Sequence, residues 1–159
     1  MKSAIILFSC FFLLIIFFSI LLGSIRSIQI KHKPEQKEFL SGKVPSKMPD
    51  GFYKGTVKGL KVPWLGKKFD SAQMSGINVF KEQNKTTENY PFTLSVGKGI
   101  QDKDLTVLKI DYSDNKHPWW LRYILDEVVE IAPGKLLGKV HIMLIPGLPC
   151  TIGYFELKK

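Results

Sequence analysis

The chain has 159 residues and a formal net charge of +9. Its basic excess lies mostly in the first third: residues 1–48 carry a net charge of +5 and residues 49–159 a net charge of +4. This distribution excludes a nucleic-acid footprint spread over a folded domain. Residues 49–159 are long enough for one compact domain with a single hydrophobic core.

An unbroken apolar run opens the chain. Residues 4–22 include no charged side chain, and as a helix they would span roughly 28 Å, close to the hydrocarbon core of a bilayer at about 30 Å. A cleaved signal sequence is the alternative, but it has a shorter apolar core and small residues at its cleavage site. We therefore predict one N-terminal transmembrane helix, a retained anchor over residues 1–24.

The charges around this run bear on its orientation. Only Lys2 precedes it, whereas four basic residues follow within about 15 positions, and the positive-inside rule then favours a cytosolic C-terminal domain. The glycosylation sequon Asn84-Lys85-Thr86 would be used only in the opposite orientation. We predict a single-pass membrane protein with its domain on the cytosolic side.

Residues 25–48 have the composition of a basic flexible linker. They contain two prolines and five lysines, and they show no sustained hydrophobic period. Such a segment gains about 1 kcal/mol per basic residue beside an anionic leaflet, although Glu35 and Glu38 dilute its charge. The alternatives are lipid contact and a solvated tether. The partner that the sequence predicts is the membrane itself, through the N-terminal helix.

Residues 49–159 show the alternation of β-strands. Leu108, Ile110 and Tyr112 share one face of a predicted strand, and the even positions of 136–144 share one face of another. Pro133-Gly134 and residues 146–149 supply turn chemistry between consecutive strands. We predict an all-β domain over residues 49–159, a small antiparallel meander β-barrel that follows the N-terminal transmembrane helix.

Three segments of this domain carry a family resemblance. They are Gly51-Phe52-Tyr53-Lys54-Gly55, Trp64-Leu65-Gly66-Lys67-Lys68-Phe69, and the acidic strand Asp126-Glu127-Val128-Val129 followed by Leu136-Leu137-Gly138-Lys139. Together they resemble the GXWXG-type small domains of unknown function. The resemblance implies a calycin-like (lipocalin-like) β-barrel able to hold an apolar ligand, and it supplies no catalytic residues.

Aromatic residues are the main candidates for ligand contact. Residues 118–123 place two Trp beside an Arg, a composition that suits the mouth of a pocket or a membrane interface. Core packing is the competing interpretation of each aromatic residue. The candidates for the pocket or its rim are Tyr53, Trp64, Trp119, Trp120, Arg122 and Tyr154.

Acidic residues supply weaker candidates for catalysis. Burial in a cavity raises the pKa of a carboxyl group and suits it to proton transfer, whereas a charged pair or a solvated strand face is the alternative. The catalytic candidates are Asp111, Arg122, Asp126 and Glu127. The chain has no nucleophile elbow, P-loop or dinucleotide motif, so a non-enzymatic role is favoured.

The sequence predicts no metal site and no cofactor. Its three histidines lack the spacing of a zinc site, and His141 is predicted to be a surface or barrel-wall residue. The leading hypothesis is a membrane-tethered lipocalin-like binding protein for a small apolar ligand or lipid. The alternatives are a barrel enzyme of isomerase or hydrolase type and a non-catalytic membrane-anchored interaction module.

Overall fold

The structure is a computed structural model that describes residues 2–58, 60–83, 85–114, 116–145 and 147–159. For residues 2–13, 15, 16 and 144 it describes the backbone alone. Asn84 of the sequon and Pro146 of the second predicted turn lie outside the described residues, as do most side chains of the predicted anchor.

Eight antiparallel strands form a closed barrel in which each strand pairs with the next and the last pairs with the first. The strands are β1 (Gly51–Thr56), β2 (Trp64–Asp70), β3 (Ser75–Glu82), β4 (Lys85–Lys98), β5 (Thr106–Asp111), β6 (Ile124–Ala132), β7 (Lys135–Ile145) and β8 (Leu148–Lys158). Closure removes the free edges of the sheet. The predicted small antiparallel meander barrel is confirmed.

The alternation of side chains fills the barrel as predicted. Leu108, Ile110 and Tyr112 point inward together, and Leu136 joins them in the core. The other buried members of this inner core are Tyr53, Phe69, Phe92, Leu94, Leu121, Val128, Phe155 and Leu157. Most of them lie towards the connections β2–β3, β4–β5 and β6–β7, which an up-and-down meander gathers at one end. We call this the closed end and the opposite end the open end.

Two helices cover part of the outer wall: α1 (Lys2–Lys31) and α2 (Pro34–Ser41). The prediction of a flexible linker over 25–48 is therefore wrong for much of that segment. Ile30 and Phe39 are fully buried against Val129 and Leu137 of the wall. A helix as short as α2 depends on tertiary packing rather than on its own propensity, so the local sequence shows little sign of it.

The contacts of α1 with β8 fix its direction. Cys150 Sγ lies 3.2 Å from Gly23 O, and Thr151 N donates to Ser27 Oγ at 2.9 Å. Arg26 donates twice to Ile152 O, at 3.1 and 3.3 Å. Because helix and strand run in the same direction, the N-terminal part of α1 leaves the barrel at the open end. Among the described residues, no helix has both the length and the hydropathy that a membrane crossing requires.

Candidate functional site

A cavity of about 470 Å³ occupies the half of the barrel next to the open end. It lies above the closed-end core and is bordered by inward-facing side chains and by the loops of the open end. Most of its lining is apolar: Val57, Leu60, Val62, Trp64, Phe80, Tyr90, Trp120, Leu121, Ile124, Val140, Ile152 and Phe155. Its size and lining are those of a site for a small apolar ligand.

Unequal strand lengths create an opening into this cavity. β1 is six residues long and pairs only with residues 156–158 of the eleven-residue β8. The earlier part of β8 therefore lacks a β1 partner, and the cavity opens there beside α1 and α2. Charged side chains border the opening: Arg26, Lys33, Glu35 and Lys58. Lys58 pairs with Glu35 at 3.0 Å, and this contact lowers the pKa of Glu35.

Two glycines let Trp64 form one wall of the cavity. A Cβ at Gly55 would lie 2.4 Å from the Trp64 ring, and a Cβ at Gly66 would lie 2.0 Å from Tyr53 O. Gly66 also has a φ of 144°, which side chains disfavour. The indole therefore lies across β1, edge-on to Phe155 with 5.5 Å between ring centroids. Gly55 of the glycine-bracketed motif at 51–55 thus allows close packing of the neighbouring strand, whereas a Cβ at Gly51 would meet nothing within 4 Å.

A buried polar network lies between the cavity and the closed-end core. Lys67 Nζ lies 3.1 Å from Asp126 Oδ2 and donates to Asn78 Oδ1 at 2.9 Å and to the Tyr112 hydroxyl. Trp64 Nε1 also donates to Asn78 Oδ1, at 3.1 Å. The Tyr112 hydroxyl donates to Asp126 Oδ2 at 3.3 Å. Lys67, Asn78, Tyr112 and Asp126 are each at most 5% exposed and all line the cavity. We call these four residues the inner network.

Burial dominates the electrostatics of the inner network. It lowers the pKa of Lys67, and the Asp126 carboxylate opposes this change. It raises the pKa of Tyr112 well above the usual value, and Asp126 adds to that effect. The three acceptors around Lys67 Nζ match the three protons of an ammonium group. The network is therefore a paired lysine and aspartate, hydrogen-bonded to neutral neighbours.

Tyr90 shows backbone strain at the cavity. Its φ is 58°, a left-handed value that costs a residue with a side chain on the order of 1–3 kcal/mol. It lies on β4 where the register with β3 shifts. Its carbonyl accepts from Asn78 Nδ2 at 2.9 Å, and its ring packs edge-on against Trp120. The strained backbone thus ties the inner network to the open end.

The structure brings only some of the predicted ligand residues to the cavity. Trp64 and Trp120 form part of its lining, whereas Tyr53 is packed in the closed-end core against Phe69. Tyr154 borders the cavity but points its ring outward, against Phe39 of α2. The other two lie outside the lining: Trp119 is 68% exposed, and Arg122 donates to His117 O at 2.9 Å.

The predicted catalytic residues do not form one group. Asp126 faces the cavity, whereas Glu127, next to it on β6, faces the outer wall beneath the helices. Asp111 points outward and accepts from Ser113 N at 2.8 Å. Arg122 is at the open-end surface. Among the described residues, no group of three or more His, Cys, Asp or Glu side chains is arranged to hold a metal ion.

A second buried polar cluster lies between the outer wall and the helices. Glu127 Oε2 is 3.1 Å from His141 Nε2, and His141 Nδ1 is 3.0 Å from Thr151 Oγ1. Lys139 pairs with Asp102 nearby. His141, predicted as a surface or wall residue, is indeed on the wall, but the helices bury it completely. The sequence does not predict this cluster, because the helical cover over part of residues 25–48 depends on tertiary packing.

We expect the stabilising effect of Tyr154 to decline at alkaline pH. Its hydroxyl donates to Gln36 of α2, and burial raises its pKa, helped by the carboxylates of Asp102 and Glu35. The unfolded phenol ionises near pH 10, so the contribution is full below that pH and is lost above it. Relative to Tyr154→Phe, wild type should gain about 1 kcal/mol in free energy of unfolding at neutral pH.

Urea unfolding of both proteins over a range of pH measures this difference. The gap between wild type and Tyr154→Phe should be constant below about pH 9 and should shrink above about pH 10. A gap that stays the same throughout would mean that the phenol ionises equally in both states.

The fold and the cavity define the class of this domain as a closed eight-stranded antiparallel barrel with an internal cavity. No protein-family model matches the chain, and comparisons with curated proteins and with solved structures give no match either.

Proposed function

We propose that the chain is a membrane-tethered, lipocalin-like binding protein for a small apolar ligand or lipid. The observation that carries this proposal is the 470 Å³ cavity inside a closed barrel. A closed eight-stranded barrel has room for one small ligand where its interior is not filled by side chains. The resemblance to GXWXG-type domains with a calycin-like barrel points the same way.

The lining supports binding by apolar burial. Each methylene group transferred from water contributes about 0.8 kcal/mol, so a ten-carbon chain contributes about 8 kcal/mol before the entropic cost of association. The aromatic rings of Trp64, Phe80 and Phe155 offer rigid surfaces for such a chain. A few buried polar groups at the inner end would fix its orientation, as is usual for ligand pockets.

The direction of α1 supports the membrane tether. The apolar run 4–22 extends from the open end, and the cavity lies in the half of the barrel next to that end. Exposed apolar residues occupy the loops there, with Leu60 at 65% and Trp119 at 68% exposure. Aromatic and basic residues together suit the headgroup region of a bilayer. A ligand could then pass between the bilayer and the cavity without crossing water.

The charges after the apolar run support a cytosolic position for the barrel. Arg26 and Lys33 lie beside the opening of the cavity, where anionic headgroups of the cytosolic leaflet would attract them. Protease protection of the barrel in sealed vesicles tests this orientation. Cleavage of the barrel in intact cytosol-side-out vesicles is expected, and full protection would reverse the orientation.

Among the described residues, Asp126 is the acidic residue that bears on the enzymatic alternative. It faces the cavity, but its charge is already paired with Lys67, and the other predicted catalytic residues lie elsewhere. Binding is therefore the function that this geometry supports best.

Titration of the full chain with N-phenyl-1-naphthylamine, a neutral apolar fluorophore, tests the binding proposal. The protein is reconstituted in lipid nanodiscs, and emission excited through tryptophan reports the probe near Trp64 and Trp120. We expect saturation near one probe per chain above the linear signal from lipid. A linear signal alone would contradict the proposal. Resistance of the chain to alkaline carbonate extraction from membranes tests the tether separately.

A further inference from the structure

The hydrogen-bonding capacity of the inner network is almost completely used. Asn78 Oδ1 accepts from Trp64 and Lys67, and Asn78 Nδ2 donates to Tyr90 O and to the Tyr112 hydroxyl. The Tyr112 hydroxyl accepts from Lys67 and Asn78 and donates to Asp126. An amide, a phenol and an ammonium group can do no more than this. Asn78, Tyr112 and Lys67 therefore have no free hydrogen-bond donor or acceptor for a ligand.

Asp126 is the exception. Its Oδ2 accepts from Lys67 and Tyr112, but among the described residues no donor contacts Oδ1. A polar atom without a hydrogen-bond partner is either buried or accessible. Among the described residues, the only side-chain nitrogen or oxygen that is buried and has no hydrogen-bond partner is Gln101 Oε1. Asp126 Oδ1 is therefore accessible, and it is accessible from the cavity, which Asp126 lines. The inner network thus offers the cavity one free hydrogen-bond acceptor, Asp126 Oδ1.

We propose that the cavity selects apolar alcohols, whose hydroxyl group donates a hydrogen bond to Asp126 Oδ1 while the hydrocarbon part lies against the apolar lining. This inference rests on the proposed function and adds the chemical class of the ligand. A hydroxyl group supplies the donor that the site lacks and leaves the net charge of the buried lysine and aspartate pair unchanged.

Other head groups fit the site less well. A carboxylate brings a second negative charge to Asp126, and Lys67 has no free donor to receive it. An ammonium group would lie beside the Lys67 charge. An ether or an alkane offers no donor and leaves Asp126 Oδ1 without a partner once water is displaced, which is unfavourable for a buried carboxylate.

A series of ligands with the same chain length tests this selection. Decanol, methyl decyl ether and decanoate compete with N-phenyl-1-naphthylamine for the full chain in nanodiscs, each at equal free concentration. A hydrogen bond to a carboxylate corresponds to at least about a tenfold change in affinity. We expect decanol to displace the probe at least tenfold more effectively than either the ether or decanoate.

The double variant Lys67→Met/Asp126→Leu replaces the charged pair with apolar side chains. It should bind the probe but treat decanol and the ether alike. The matched control is Lys139→Met/Asp102→Leu, which removes a second lysine and aspartate pair on the outer wall, away from the cavity lining. This control should keep the preference for decanol.

Three results would overturn the inference. If the ether displaces the probe as well as decanol does, Asp126 does not favour ligands that carry a hydrogen-bond donor. If decanoate displaces it best, the basic residues at the opening anchor the ligand instead. If neither the probe nor any member of the series binds, the proposed function fails, and the inference fails with it.

Discussion

Gly153→Phe should reduce the affinity for an apolar probe at least tenfold while leaving the barrel folded. Gly153 lies on β8 and borders the cavity, and a Cβ built there meets no atom within 4 Å. A phenyl group at this position would enter the space that the ligand needs. Because strands favour aromatic residues over glycine, the free energy of unfolding should be unchanged or slightly higher. Tryptophan-sensitised emission of N-phenyl-1-naphthylamine measures the loss.

The chain offers a matched control for this substitution. Gly97 lies within β4, and a Cβ there meets only the Lys109 side chain, at 3.7 Å. It does not border the cavity. Gly97→Phe should therefore bind the probe as wild type does. Equal binding by Gly153→Phe and wild type would show that the probe occupies another part of the protein or the lipid.

Lys67→Met should destabilise the barrel by about 3–5 kcal/mol, because it leaves the buried carboxylate of Asp126 without its charged partner. Asp126 is 4% exposed and lies within an apolar interior. The substitution also removes the hydrogen bonds that Lys67 donates to Asn78 Oδ1 and to the Tyr112 hydroxyl. Urea unfolding followed by circular dichroism measures the change in the free energy of unfolding.

Removing both charges should reverse most of this loss. Apolar replacement of a buried ion pair is often neutral or stabilising, so Lys67→Met/Asp126→Leu should lie within about 1–2 kcal/mol of wild type. The coupling energy from the double-mutant cycle should then be at least about 2 kcal/mol. If the double variant is as unstable as the sum of the two single variants, the two charges do not depend on each other.

The strands of the barrel could be predicted because their alternation is local. Leu108, Ile110 and Tyr112 on β5 and the Pro133-Gly134 turn carry the period and the turn chemistry within a few residues. The structure confirms this alternation and the meander that it implies. The helical cover over 25–41 could not be read in the same way, because Ile30 and Phe39 find their partners on strands about a hundred residues later.

The inner network could be predicted only in part. The charge of Asp126 makes it a candidate, but Lys67, Asn78 and Tyr112 come from segments that only barrel closure brings together. One local signal was present: Lys67 shares a strand face with Phe69, which is unusual for a solvent-facing lysine. A polar residue in phase with the core is the pattern that would have found it.

The aromatic candidates show the limit of composition as a guide to a site. Trp119 and Trp120 are adjacent, yet only Trp120 lines the cavity. Tyr154 has the ring and hydroxyl of a ligand contact but uses both to hold α2 on the outer wall. A side chain on a barrel strand contacts either the cavity or the outer helices. Tertiary packing decides which, and composition does not show it.

Native mass spectrometry of the full chain, isolated in mild detergent from the cells that produce it, tests most directly whether the cavity binds a small apolar molecule. We expect a reproducible bound mass of one small apolar molecule on wild type and on Gly97→Phe, with the same compound recovered by solvent extraction. Gly153→Phe should lack it. A wild-type chain with no bound mass that also fails to take up an added apolar ligand would contradict a binding function for the cavity.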